Sequence, residues 1–315
     1  MSTIITTLPL PDRARSLLEE VGTLFGPDDW QSQLGQADAI LALLTVRIDD
    51  AFLERAPRLR IVANAAVGFD NVDVAACRSR GVTVTNTPGV LTDATADIAL
   101  ALILSAVRGL PQAERRLREG NFRGWSFWDH LGGDVTGATL GIFGMGKIGK
   151  ALAKRAAACG MIVQYTSRSR LDRAEEERLA LSWVDFESLL TTSDVLSLHA
   201  PYTPATHHVL DAAALRRMKP GSYLINTARG PLVDEAALVD ALKDGPLAGA
   251  GLDVYEREPT VHPELLEADN VTLLPHIGSA TVQTRSAMAI LAAKNINSFL
   301  KTGAPQTPIP ERPVA

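Results

Sequence analysis

The sequence predicts an α/β fold made of two parallel-sheet domains. Three observations carry that prediction. Short apolar runs alternate with helix-like runs through almost the whole chain, and their continuous apolarity marks strands covered on both faces. The chain has 315 residues, room for two domains of about 150 each. Between one apolar run and one helix-like run lie Gly144, Gly146 and Gly149, at the spacing G-x-G-x-x-G.

In the first part, to about residue 97, strands are expected over 4–6, 39–44, 59–63 and 82–85. Helices are expected over 11–21, 49–55 and 71–80, the last stopped by Gly81. This part has no glycine fingerprint. Its segment Ala65-Ala66-Val67-Gly68-Phe69-Asp70 follows a strand end, where open α/β sheets bind ligands. A glycine there exposes backbone N–H groups to an anion. The alternative is an ordinary strand-to-helix turn.

Thr87-Pro88-Gly89 breaks the chain. A helical stretch over 92–120, interrupted at 109–111, suits a crossover between domains, with Thr92 and Asp93 as N-caps. Residues 121–137 then concentrate Phe122, Trp125, Phe127 and Trp128 in a chain that is only 5% aromatic. They read either as a loop packed on its own domain or as an arm in a subunit interface, where aromatics are enriched.

The second part opens with a strand over 138–143, the fingerprint, a helix over 147–159 and a strand over 161–166. In that setting Gly144 permits a tight turn, Gly146 lets a pyrophosphate approach the backbone, and Gly149 lets helix and strand pack closely. A dinucleotide site is the expectation. A carboxylate for the ribose 2′-OH usually follows about 20 residues later. Here the strand ends in Ser167-Arg168-Ser169-Arg170. A carboxylate would repel a 2′-phosphate, whereas Arg pairs with one through two hydrogen bonds, so NADP(H) is expected to be preferred, with NAD(H) possible. Further strands are expected over 194–199, 222–226, 248–252 and 271–274, and helices over 171–180, 213–218, 234–243 and 280–302. The last helix is expected to return to the first domain. The proline-rich tail, Thr307-Pro308-Ile309-Pro310, is expected to be loosely held.

Three ionisable residues each follow a strand of the second part. They are Arg229 after 222–226, Glu258 after 248–252 and His276 after 271–274. Taken together they suit hydride transfer to a 2-keto acid. The developing alkoxide needs a proton, and histidine is the side chain whose ordinary pKa suits that transfer near neutrality. A carboxylate on the other ring nitrogen fixes the tautomer. Arginine grips the substrate carboxylate and places charge beside the keto oxygen.

Composition narrows the classes further. A net charge of −5 argues against a nucleic-acid footprint, and the longest apolar run, 98–107, is too short to span a bilayer. Cys77 and Cys159 make neither a disulfide framework nor a zinc site and read as small buried residues, in keeping with a reducing cytoplasm. The N-terminus lacks the basic start of a secretory signal. No metal site is expected.

The order of motifs resembles the D-isomer-specific 2-hydroxyacid dehydrogenase family along almost the whole chain. The matching stretches are Ala66 to Asp73, the Gly144–Gly149 fingerprint, His199-Ala200-Pro201, Asn226 to Gly230, Gly251 to Val254, Glu258-Pro259 and Pro275 to Ser279. The resemblance implies a Rossmann-like cofactor domain, 98–282, inserted in a discontinuous flavodoxin-like substrate domain, 1–97 and 283–315, and a homodimer. It implies Arg229, Glu258 and His276 as the catalytic set, with Glu258 pairing His276, and the backbone of Val67 and Gly68 as the anchor of the substrate carboxylate. The implied cofactor contacts are Thr95, Gly144, Met145, Gly146, Lys147, Ile148, Gly149, Ser167, Arg168, Ser169, Pro201, Thr206, Thr227, Ala228, Asp253 and Gly278. Within the family, Ser167-Arg168 and Gly124-Trp125-Ser126-Phe127-Trp128 are most similar to the NADPH-dependent glyoxylate/hydroxypyruvate reductases, where a tryptophan of this arm covers the partner's pocket; Trp128 is the candidate. The expected substrate is therefore a small 2-keto acid, glyoxylate or hydroxypyruvate. A larger one such as hydroxyphenylpyruvate or 2-ketogluconate, or a non-catalytic dinucleotide-sensing module, is the alternative.

Overall fold

In the computed structural model, which describes residues 1–310, the chain divides into two compact units. One is Met1–Leu91 together with the residues from Ala280 on; the other is Thr92–Ser279. Both boundaries fall a few residues before those read from the sequence. The helix Thr92–Arg108 sides with the second unit from its first turn, where Thr95 and Ala96 are already buried. Residues 311–315, assigned above to the first domain, lie outside the described residues.

The first unit holds five strands: β1 (Ser2–Thr6), β2 (Gly22–Phe25), β3 (Ala39–Ala42), β4 (Ile61–Asn64) and β5 (Thr83–Thr85). All neighbours pair in parallel, in the order β2-β1-β3-β4-β5, the flavodoxin-like order. Successive strand residues enter opposite faces. Ile4, Leu41 and Ile61 pack beneath helices Asp12–Glu19 and Val282–Thr302, while Ile5, Ile40 and Val62 meet Phe52, Leu53 and Cys77 on the other face. The last helix thus belongs to this unit. The tail before residue 311 is not loose, contrary to the sequence reading. Pro308 bridges Thr85 antiparallel, Ile309 N–H donates to Val84 O at 2.9 Å, and the Ile309 side chain is buried. Prolines gave no hint that buried Asn295 would accept from the N–H groups of both Gln306 and Thr307.

The second unit holds seven strands: β6 (Thr139–Phe143), β7 (Ile162–Thr166), β8 (Leu181–Trp183), β9 (Val195–Leu198), β10 (Ser222–Asn226), β11 (Leu247–Leu252) and β12 (Val271–Leu273). Their order is β12-β11-β10-β9-β6-β7-β8, all parallel. The winding reverses between β6 and β9, the place where such sheets bind ligands. Helices Thr92–Arg108 and Lys147–Ala158 cover one face through Ala96, Ala99, Leu102, Leu152 and Ala156. A Cβ on Gly251 would stand 3.0 Å from the Cβ of Leu102, so the first helix lies close on β11. Leu189, Leu198, Leu224, Leu238 and Leu252 fill the other face. No single helix among the described residues is long and apolar enough to cross a membrane.

The aromatic side chains of the arm stay out of the core of their own unit, although the segment is tied to it further on, where Gly133 N–H donates to Val107 O at 2.8 Å. Phe122, Trp125, Phe127 and Trp128 are 61%, 84%, 64% and 75% exposed, touching mainly one another. Of its two sequence readings, the loop packed on its own domain fails for these four side chains. Cys77 is buried as expected, but Cys159, at the end of a helix, is half-exposed.

Candidate active site

The fingerprint leaves β6 at Gly144, whose φ of +98° is one that side-chain-bearing residues avoid. A Cβ there would also lie 2.6 Å from Ala200 N, and one on Gly149 would lie 2.5 Å from Gly144 O. These two glycines are demanded by the protein itself. Gly146 is not: a Cβ on it would meet nothing within 4 Å. Gly146 is the N-cap of Lys147–Ala158 and offers no side-chain cap. The orphan N–H groups of the first turn, at Lys147 and Ile148, are thus left open to an anion, in a bare backbone cradle that a pyrophosphate fits. Met145 is buried in the core, so only its main chain remains for a ligand. After β9, Thr206 Oγ1 accepts from Thr203 N–H at 2.8 Å and lies 2.9 Å from Pro201 O, fixing the loop that carries Pro201. After β10, Thr227 Oγ1 is buried without a hydrogen-bond partner among the described residues, a polar group waiting for a donor or acceptor.

Beyond β7 the structure separates two arginines that the sequence treated alike. Arg170 makes a bidentate pair with Glu176, at 2.9 and 2.8 Å, and stacks over Trp183. Glu176 also accepts from the Tyr165 hydroxyl at 2.7 Å, and the Arg170 and Tyr165 bonds hold its pKa down to about 2. Arg170 is thereby committed to the scaffold and corrects the reading of it as a second phosphate ligand. The pattern was hidden because Glu176 sits in a run of charged residues that looks uniformly solvated. Arg168 is exposed, and Ser167 Oγ donates to Ser169 O at 2.7 Å within the same turn.

Parallel strands end on one edge of the sheet, so the residues after β10, β11 and β12 share that edge with the fingerprint. Asn226 shapes the first of these loops by donating to Arg229 O and accepting from Ala228 N–H. Gly230 permits the next step, since a Cβ there would overlap the carbonyl of Tyr255 at 1.9 Å. Glu258 Oε1 accepts from Tyr255 N–H at 3.1 Å, and its Oε2 lies 2.8 Å from His276 Nδ1. Burial alone would raise the Glu258 pKa. The bond to His276, the Tyr255 N–H and the charge of Arg229 outweigh it and keep the carboxyl below its usual range. An ionised carboxylate only accepts, so Nδ1 carries the hydrogen and Nε2 is left to act. His276 adopts a left-handed φ of +54°, rare for a side-chain-bearing residue. Asp253, 1% exposed, stabilises that turn by accepting from Ile277 and Gly278 N–H, both at 2.7 Å. Thr95 packs beside Gly278 and Asp253.

The family model for the D-isomer-specific 2-hydroxyacid dehydrogenase NAD-binding domain matches residues 100–278, more than half the chain. The chain belongs to this dehydrogenase family. Glyoxylate reductase of Thermococcus litoralis is 50% identical over 270 residues, 84% of this chain and 81% of that protein. The crystal structure of a glyoxylate reductase from Paecilomyes thermophila superposes with a TM-score of 0.89 at 34% identity, covering 98% of each chain. The NADPH-dependent glyoxylate/hydroxypyruvate reductase of Sinorhizobium meliloti, solved with NADP and malonate, gives 0.88 at 36% identity, covering 99% of this chain and 98% of that one.

Several positioning groups of this dehydrogenase chain escaped the sequence reading. Tyr255, buried, donates to Leu274 O at 2.8 Å and so ties the Glu258 loop to the His276 loop. Glu235 and Glu256 exchange backbone-to-carboxylate bonds, Glu256 N–H to Glu235 at 2.7 Å and the return at 3.3 Å. His199, bonded to Ser197 at 2.8 Å, loses enough solvent that its pKa falls to about 4, leaving it neutral. For Tyr255, Glu235 and Glu256 the signals lie in contacts between distant loops, which spacing does not encode; for His199 they lie in its burial. Val67 and Gly68 are in the first unit, in the loop after β4.

Proposed function

We propose that the chain reduces a small 2-keto acid, glyoxylate or hydroxypyruvate, to the 2-hydroxy acid with NADPH preferred over NADH. The observation that carries this reading is the 2.8 Å pair of His276 and Glu258, under the charge of Arg229, at the strand ends of a dinucleotide-binding unit. Bound at Gly144–Gly149, the cofactor supplies a hydride. Thr95, Pro201, Thr206, Thr227, Ala228, Asp253 and Gly278 are the remaining positions assigned to holding it. His276 Nε2 delivers the proton to the developing alkoxide and takes it back in oxidation. Glu258 keeps the ring oriented with its hydrogen on Nδ1. Arg229 grips the carboxylate and polarises the keto oxygen. The N–H groups of Val67 and Gly68, in the loop after β4, are the positions assigned to a substrate carboxylate. The two free cysteines suit a reducing cytoplasm.

Loss of NADPH absorbance over a panel of 2-keto acids tests the activity. Turnover of none of them defeats it. The coenzyme preference rests on Ser167, Arg168 and Ser169 and on the lack of a carboxylate after β7. Arg168→Ala is expected to lower kcat/KM for NADPH about tenfold or more while changing that for NADH by less than about twofold, as befits a lost charge-assisted bond to phosphate. Equal losses with both coenzymes contradict the assignment.

The exposed arm supports a homodimer in which Trp128 approaches the partner's substrate. Phe127→Asp is expected to shift the protein from dimer to monomer in sedimentation equilibrium. A wild type that is monomeric at micromolar concentration contradicts this.

A further inference from the structure

Three successive carbonyls of the loop after β4 are tied down by hydrogen bonds. Ala66 O accepts from Thr87 N–H at 2.9 Å. Val67 O accepts from Asn86 Nδ2 at 2.8 Å, and Gly68 O from Asn64 Nδ2 at 2.9 Å. In a planar trans peptide the C=O and the following N–H point in opposite directions. Each tied carbonyl therefore aims the next N–H away from the clamp, and no acceptor among the described residues takes the N–H of Val67, Gly68 or Phe69. Three such donors in a row are left for a ligand to satisfy.

The clamp is itself braced from far along the chain. Asn64, fully buried, is fixed by a reciprocal amide pair with Asn71, at 3.3 and 3.2 Å. Asn86 is held at both ends of its main chain by the tail. Its N–H donates to Thr307 O at 3.4 Å, and its carbonyl accepts from Thr307 Oγ1 at 2.6 Å and from Asn295 Nδ2 at 3.5 Å. Asn295 is fully buried and reaches Thr307 Oγ1 at 2.8 Å as well. A chain of bonds thus runs from residues 306–307 through Asn86 to the Val67–Gly68 peptide.

We infer that Asn86, braced by Thr307 and Asn295, is a positioning residue for the carboxylate of the 2-keto acid, and that the C-terminal segment is thereby part of substrate recognition. The inference rests on the reductase reading and deepens it. Without the Asn86 amide the Val67–Gly68 peptide is free to turn, and the Gly68 N–H is no longer held toward an anion. The hydride and proton steps do not pass through it.

The test is steady-state kinetics with the 2-keto acid that the wild type turns over, together with inhibition by oxamate, which keeps the carboxylate and the adjacent carbonyl. Asn86→Ala is expected to raise both KM and the oxamate inhibition constant about tenfold, with kcat within about threefold and NADPH affinity unchanged, the pattern of lost uniform binding. Thr307→Val is expected to raise the same two constants about threefold, and Thr307→Ser, which keeps the hydroxyl, to restore them. Wild-type values of KM and oxamate binding in Asn86→Ala overturn the inference, as does a loss shared equally by NADPH binding. Should Asn86→Ala not fold, Thr307→Val decides, and an unchanged KM there overturns it. Absence of wild-type turnover on every 2-keto acid overturns the reductase reading and this inference with it; an active wild type matched by the variants overturns this inference alone.

Discussion

His276→Ala is expected to lower kcat for keto-acid reduction by about 10²- to 10⁴-fold, the usual contribution of a positioned general acid. NADPH affinity is expected to stay within about twofold, because the cradle at Gly144–Gly149 and the turn after β7 are untouched. The size of the effect follows from the geometry. Glu258 occupies Nδ1 at 2.8 Å, and Asp253 fixes the two peptides after His276, so the ring is held with Nε2 as its nitrogen for proton transfer. Glu258→Gln removes the charged acceptor that orients the ring and is expected to lower kcat as well. Stopped-flow oxidation of NADPH measures both. A kcat in His276→Ala within tenfold of wild type contradicts the proton-donor role.

Arg229→Ala is expected to raise KM and lower kcat together, with kcat/KM down by about 10³-fold or more. Losing a preorganised donor at a developing oxyanion costs about 10²–10³ in rate, and losing the carboxylate pair weakens substrate binding as well. Arg229→Lys is expected to recover only part, since an ammonium lacks the planar fork. The position is rigid: Asn226 accepts and donates within the same turn, Arg229 Nη1 bonds Ala228 O at 2.8 Å, and Gly230 lets the Tyr255 peptide pass. A change in KM alone, with kcat intact, confines Arg229 to binding and contradicts its part in the transition state.

Most of this architecture was legible because β3, β4, β9 and β10 are almost wholly buried and therefore mostly apolar. The edge strands β2 and β8 were missed. Each has three or four residues, and Thr23-Leu24-Phe25 and Leu181-Ser182-Trp183 carry no run long enough to separate strand from loop. The site was legible where chemistry is local. Gly144, Gly146 and Gly149 declare a turn by spacing, and Arg229, Glu258 and His276 are ionisable residues placed just after strands. It was illegible where function depends on a partner. Asp253 is assigned to the cofactor by resemblance, yet both its oxygens accept from the turn after His276, 24 and 25 residues on. Likewise the tail looked loose by composition, because nothing in Thr307-Pro308-Ile309 announces Asn86 and Asn295.

The central claim is that hydride reaches the keto carbon directly while His276 supplies the proton. It is tested most directly by reducing hydroxypyruvate with NADPH carrying deuterium at the transferable C4 position, in ordinary water, and analysing the glycerate by mass and by chirality. The account predicts one deuterium at C2 in the D-isomer. Unlabelled glycerate, or the L-isomer, would contradict it.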